Sequence, residues 1–132
     1  MKYMLITRAT DEGWAAVAGV DMDVMLEKMG RFHDEMIRAG VLLAAEGLDD
    51  PADTVVVDHS SEPPVVTDGP YGETKELFGG YFLLDVASKE EAVEWARRVP
   101  AARGSKLEVR RVVGEDETPF DDGDLAETVG PA

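Results

Sequence analysis

Hydrophobic and polar residues follow each other in patterns that predict two helices, the first of them near residue 30. From Asp21 to Ala39, apolar residues recur at steps of three and four, and charged residues fill the opposite side. The apolar positions are Met22, Met25, Met29, Phe32 and Met36. Gly40 follows at the position of a left-handed C-terminal cap. We interpret the methionines as core residues rather than as a soft-metal or adaptable binding face.

A capping box predicts the second helix. Ser88 is followed three residues later by Glu91, a spacing that is typical of a helix N-terminus. Pro100 ends the helix, because the residue before a proline is disfavoured in the helical conformation. The apolar stripe consists of Ala92, Trp95, Ala96 and Val99.

Short apolar segments between these helices predict strands and a fold class. The segments are residues 2–8, 41–45, 54–58, 65–67, 80–86 and 107–113. Their order is strand, helix, strand, extra hairpin, strand, helix, strand. Two helices on one mostly antiparallel sheet should cover the same face, which predicts an α+β fold, a ferredoxin-like sandwich. The other sheet face would be open, so we expect a homodimer that packs sheet against sheet.

Length and charge divide the chain into two parts. At 132 residues it fits one domain, and the formal net charge is −15. Residues 114–132 hold seven acids and no Lys or Arg. We therefore predict a folded domain over residues 1–113 and an acidic, poorly ordered C-terminal tail over residues 114–132.

The same composition excludes several classes of protein. The negative charge argues against nucleic-acid binding, since phosphate backbones are repelled. No apolar run approaches the roughly 20 residues that span a bilayer, so no membrane segment is predicted. The start has no features of a secretory signal and the chain contains no Cys, which together predict a cytoplasmic protein.

The segment between residues 68 and 76 is the strongest candidate for a site. Asp68 to Gly72 is accounted for by turn chemistry, but Glu73-Thr74-Lys75-Glu76 is not. Two interpretations remain open. The segment is either a solvated loop or an acid and lysine group lining a cleft, where carboxylates exchange protons and Lys75 holds an anion.

Glu46 is the other candidate, because it stands between small residues at the end of a predicted strand. An acid there either pairs or titrates abnormally, unless the strand has already reached the surface. His33 is interpreted as a boundary residue and His59 as facing water. Two separated histidines and no Cys give no metal site by spacing, and no motif predicts a cofactor.

Three stretches together resemble one family. They are the start MKYMLI, residues 39–48 with the sequence AGVLLAAEGL, and TDGPYGETKE at residues 67–76, which runs into GGY. They resemble the YCII-related proteins of the DGPF subgroup, named for an Asp-Gly-Pro-Phe motif in which this chain has Tyr71 for the Phe. The resemblance covers residues 1 to about 113 and implies a ferredoxin-like subunit of the dimeric α/β barrel type.

The resemblance implies less about activity. DGPF proteins are bacterial, often lie beside genes for extracytoplasmic-function sigma factors and largely lack an assigned reaction. Other YCII relatives resemble muconolactone isomerase-like enzymes and use a His on the first helix and an Asp before a Pro after the second. The corresponding positions here are Met29 and Val99-Pro100, so both groups are absent. His33 and Asp34 are expected to point away from the direction of Met29, and the role is not transferred to them.

The resulting hypothesis is a small cytoplasmic homodimer that binds a polar or anionic small molecule in a cleft near residues 68–76. Acid/base chemistry of an isomerase or lyase type would use Glu46 and Glu73. The binding residues would be Asp68, Tyr71 and Lys75. The alternative is a non-catalytic interaction module linked to sigma-factor or signalling regulation, acting through the acidic tail or the same segment.

Overall fold

The fold is an antiparallel sheet with two helices and an additional hairpin. The computed structural model describes residues 1–10, 19, 21–49, 51–69, 76–114 and 117. Their elements are β1 (Lys2–Thr10), α1 (Met22–Arg38), β2 (Leu42–Gly47), a short 3₁₀ turn (Pro51–Asp53), β3 (Val55–Asp58), β4 (Val65–Asp68), β5 (Glu76–Asp85), α2 (Lys89–Arg98) and β6 (Lys106–Arg111).

The main sheet has four strands in the order β2-β5-β1-β6, and each neighbouring pair is antiparallel. Without the hairpin, the chain order is strand, helix, strand, strand, helix, strand, and the first and third of these strands are central in the sheet. This is the ferredoxin-like arrangement. The predicted α+β sandwich is confirmed.

Both helices pack on one face of this sheet, where its alternating apolar residues meet the helix stripes. Tyr3 and Leu5 on β1 stand opposite Leu84 and Phe82 on β5. These four side chains form the core with residues of both helices, namely Phe32, Met36, Ala92 and Trp95. Each large apolar side chain buried in this way contributes about 1.5–3 kcal/mol relative to an exposed one. The core therefore lies between the sheet and the helices.

The opposite face of the sheet carries the residues that alternate with the core. Met4 and Leu83 are register partners on this face, and Ile6 on β1 is 4% exposed. Arg8 continues the same strand and donates from Nε to Glu108 Oε2 at 2.9 Å. Neither described helix covers these residues. We call this surface, defined by Met4, Ile6, Arg8, Leu83 and Glu108, the open sheet face.

The helix ends follow from local sequence. The Asp21 carboxylate caps α1 by accepting from the backbone N–H of Asp23 at 3.0 Å, and Gly40 beyond the helix has φ of 71°. Ser88 Oγ caps α2 by accepting from the Glu91 N–H at 3.2 Å. Glu91 accepts in turn from the Ala87 N–H at 2.9 Å, one residue earlier than in a standard capping box.

The structure adds detail on the predicted hairpin and corrects the predicted start of β5. The predicted hairpin exists as a separate two-stranded sheet of β3 and β4. β5 begins at Glu76, four residues before the predicted strand, because it pairs with β1 beyond a bulge between Thr7 and Arg8. Glu disfavours strands in isolation, but hydrogen bonding to an existing strand overrides that preference.

Candidate functional site

A cavity of about 410 Å³ lies between the N-terminal part of α1 and the sheet. Met25, Met29 and His33 line it from the helix. Their spacing of four residues places these side chains one above the other on one helix face. The helix thus forms one wall of the cavity with two thioethers and an imidazole.

The sheet wall is formed mainly by the end of β2 and the middle of β5, which pair with each other. Residues 45–47 of β2 and residues 79–82 of β5 line it. A Cβ atom on Gly80 would lie 2.7 Å from the Glu46 carbonyl oxygen and 3.1 Å from the Gly47 Cα. Real side chains do not approach backbone this closely, so Gly80 is required where the two strands meet.

The third wall is the connection between α2 and β6. Residues 99–102 and Ser105 line the cavity there, followed by Leu107 on β6. Val99 leaves the helical conformation with ψ of 125°, as expected before Pro100. Met29 and Val99-Pro100 are therefore walls of the same cavity, and neither supplies an ionisable group.

The imidazole of His33 is held against the cavity wall by an aromatic contact. Its ring lies 5.6 Å from that of Phe82, nearly perpendicular to it. The expectation that His33 points away from the direction of Met29 is wrong. Four residues make slightly more than one helical turn, so the two side chains share a face. The i, i+4 spacing was visible in the sequence and is the signal that identifies His33.

The methionine stripe divides along the helix. Met36 is fully buried in the core, whereas Met22 is 52% exposed. Met25 and Met29 are partly buried and line the cavity. The interpretation of the whole stripe as core is therefore wrong for Met22 and Met25, whereas Met29 both packs against the core and lines the cavity.

Glu46 is among the residues that line the cavity. It is exposed, so the strand has reached the surface at this residue. Its partner across the ladder is Tyr81, whereas the preceding Ala45 stands opposite Phe82. Glu46 and Tyr81 thus occupy the strand positions that alternate with the core.

The other predicted site residues lie elsewhere. Asp68 is the exposed last residue of β4, opposite Val55 in the hairpin, and is not among the residues that line the cavity. Tyr71, Glu73 and Lys75 lie outside the described residues. Of the five predicted site residues, the structure therefore places Glu46 at the cavity.

The resolved pKa shifts belong to other parts of the surface. The Ser60 hydroxyl and backbone N–H hold the pKa of Asp58 below its usual value. The Arg111 guanidinium, with hydrogen bonds of 2.9 and 2.6 Å, lowers the pKa of Glu117, and Glu117 raises that of Arg111. These groups stabilise a turn and the end of β6.

The described part of the chain holds no cluster of three or more metal-ligating side chains. Within the same residues, no helix is long and apolar enough to cross a membrane.

Comparison with known proteins places the chain in a family. An uncharacterised protein of Rhizobium meliloti is 45% identical over 47 residues, and the match covers 36% of this chain and 38% of that relative. A family model for the YCII-related domain matches residues 1–116. The DGPF subgroup within that family stays a prediction. Since the family model covers most of its length, the chain belongs to the YCII-related family.

Proposed function

We propose that the cavity beneath α1 binds a small organic molecule that has an apolar body and one polar or anionic end. The observation that carries this proposal is the cavity itself, at about 410 Å³. Ligand pockets are usually clefts of about 300–1,000 Å³, with mostly apolar walls and a few placed polar groups. The apolar wall here includes Met25, Met29, Val99 and Leu107.

The polar groups of the cavity support proton transfer as its chemistry. His33 is partly buried at the apolar wall, and Glu46 is an exposed residue of the edge strand β2 at the cavity. Histidine and carboxylate side chains are the usual general acids and bases. We propose His33 as the group that contacts the polar end of the ligand. Glu46 is proposed as a proton acceptor that acts from the edge strand β2, since its strand position alternates with the core.

The segment between the hairpin and β5 is proposed to complete the site. Lys75 lies four residues before Gly79, which lines the cavity. Lys75 and Tyr71 would bind the ligand, Glu73 would share the acid/base role, and Asp68 would contribute from the end of β4. A lysine in this segment would favour an anionic end on the ligand.

The assembly proposed is a cytoplasmic homodimer. The open sheet face presents Met4 and Leu83 among charged groups, and neither described helix covers it. Packing this face on a second copy would remove the apolar residues from water.

The binding proposal is tested by screening small carboxylic acids and amines with apolar bodies by ligand-observed NMR. Met29→Trp should fill the cavity and abolish binding of any hit. The matched control is Met22→Trp, which enlarges an exposed methionine of the same helix outside the cavity. Circular dichroism checks that both variants fold. Equal binding by the two variants would place the ligand elsewhere.

The role of the imidazole is tested through the affinity for the same hit. The chain has two histidines, and His59 lies in the exposed hairpin. His33→Phe keeps an aromatic ring but removes the polar nitrogens, so it should weaken binding at least about tenfold, whereas His59→Phe should leave the affinity unchanged. Unchanged affinity in His33→Phe would contradict a role of the imidazole in binding.

A further inference from the structure

We infer that the hairpin formed by β3 and β4 packs through one apolar face onto the open sheet face of a second copy of this chain. The inference rests on the proposed homodimer and assigns the hairpin a place in it.

The hairpin has a valine face that the described part of its own chain leaves exposed. Val57 stands opposite Val66 in the ladder, and Val55 stands opposite Asp68. Because directly paired residues share a face, Val55, Val57 and Val66 lie side by side. They are 54%, 52% and 62% exposed. We call this surface, with Asp68 at its end, the valine face.

The other side of the ribbon is different. Val56 is partly buried there, beside Thr67. Val65 lies on the same side, opposite Asp58, and is 50% exposed. The ribbon therefore has three exposed valines on one face and one on the other, where the polar Asp58 and Thr67 accompany it. The covering surface for the valine face is absent from the described part of the chain.

A hairpin of this size needs such a surface to be stable. β3 and β4 pair over four residues each and form a sheet separate from the main one. Two-stranded hairpins alone are marginally stable in water. The turn contributes local hydrogen bonds, such as that from the Ser60 N–H to the Asp58 carboxylate at 2.8 Å. These bonds hold the turn but bury no apolar area.

Charge favours a second copy as the covering partner. Residues 54–69 contain Asp58, Glu62 and Asp68 and no Lys or Arg. The open sheet face carries Arg8, and Arg110 is the register partner of Met4 on the same face. Glu108 of this face pairs with both arginines. The Arg110 side chain is 66% exposed. An acidic ribbon with an apolar face thus complements an apolar sheet face on which two arginines share one Glu108, on a chain whose net charge of −15 otherwise opposes self-association.

The small area of the open sheet face also favours a contribution of the hairpins to the dimer interface. Strands lie about 4.8 Å apart and rise about 3.3 Å per residue, so a four-stranded face about six residues long covers a planar area of roughly 400 Å². A stable interface buries about 800 Å² on each partner. A dimer built on this face needs further contact area, and two reciprocal hairpins supply it.

The first test measures the dissociation constant by analytical ultracentrifugation. The variant Val55→Thr/Val57→Thr/Val66→Thr keeps β-branched residues in the strands but adds three hydroxyls to the valine face. It should weaken the dimer at least about tenfold. The matched control is Val24→Thr/Val113→Thr, which changes exposed valines outside the hairpin and should stay within about twofold. An equal effect of both variants would overturn the inference.

The second test is hydrogen exchange of the backbone amides of residues 55–58 and 65–68, measured as the protein is diluted. Protection that is lost together with the dimer supports docking on a second copy. Protection that persists in the monomer means that the hairpin docks on its own chain, and the inference fails. A dimer whose hairpin amides are unprotected would also contradict the inference, but it would be consistent with the proposed homodimer. If the protein is monomeric at all concentrations, the proposed homodimer itself is contradicted.

Discussion

The two halves of α1 have the same apolar spacing but different surroundings. In the C-terminal half, Phe32 and Met36 are buried against Phe82 and Leu84 of the sheet. In the N-terminal half, Met25 and Met29 line a cavity. Periodicity therefore tells which side of a helix faces inward, but not whether side chains or empty space lie opposite. The same residue type is structural at one end of this helix and available to a ligand at the other.

The largest expected difference between the halves is in stability. Met36→Ala should lower the free energy of unfolding by about 2–5 kcal/mol, because it removes a fully buried side chain and leaves a void. Met29→Ala should cost less than about 1.5 kcal/mol, since its side chain already borders open space. Urea unfolding of both variants measures the two values. Equal losses would show that the cavity end is packed as tightly as the core end.

Removal of the N-cap of α1 should cost less stability than Met36→Ala, and it should affect only the half of the helix that lines the cavity. Asp21→Ala removes the acceptor for the Asp23 N–H and should cost about 1 kcal/mol. Amide exchange should accelerate in the first turn of α1 and remain slow near Met36. Asp34→Ala, an exposed acid in the middle of the same helix, is the control and should change neither. Uniform acceleration along α1 would mean that its two halves unfold as one unit.

The smallest loss of stability is expected in the C-terminal half of α1, where Glu35 pairs with Arg98 of α2. Both side chains are about half exposed, so solvent screening limits the pair to roughly 0.5 kcal/mol. Arg98→Ala should cost slightly more than Glu35→Gln, because the guanidinium also lies 4.4 Å from the Trp95 ring centroid. The melting temperatures of the two variants measure this difference. A larger loss in Glu35→Gln would contradict this ranking.

Most of the fold was predictable because its signals are local. The stripe of α1, the Ser88 cap and the stop at Pro100 each fix an element without reference to the rest of the chain. The start of β5 was not predictable in this way. Its first residues join the sheet by pairing with β1 across a bulge, and that pairing depends on residues about 70 positions earlier.

The site was less predictable than the fold. Glu46 was identified from its position at a strand end, and it does line the cavity. His33 was treated as a boundary residue, since sequence spacing shows which residues share a face but not that a void lies beside them. The cavity arises from the separation of α1, the strand ends and the connection after α2, and no single segment encodes that separation. The roles of Tyr71, Glu73 and Lys75 stay predictions.

The close approach at Gly80 limits how the cavity can change during evolution. On that side main chain forms part of the wall, and a Cβ on Gly80 would lie 2.7 Å from the Glu46 carbonyl oxygen. Substitution there cannot enlarge or reshape the space without moving two strands apart. On the other side the wall consists of replaceable side chains at Met25, Met29 and Val99. Ligand preference among related proteins should therefore diverge through the helix and the connection after α2, while the strand wall stays constant.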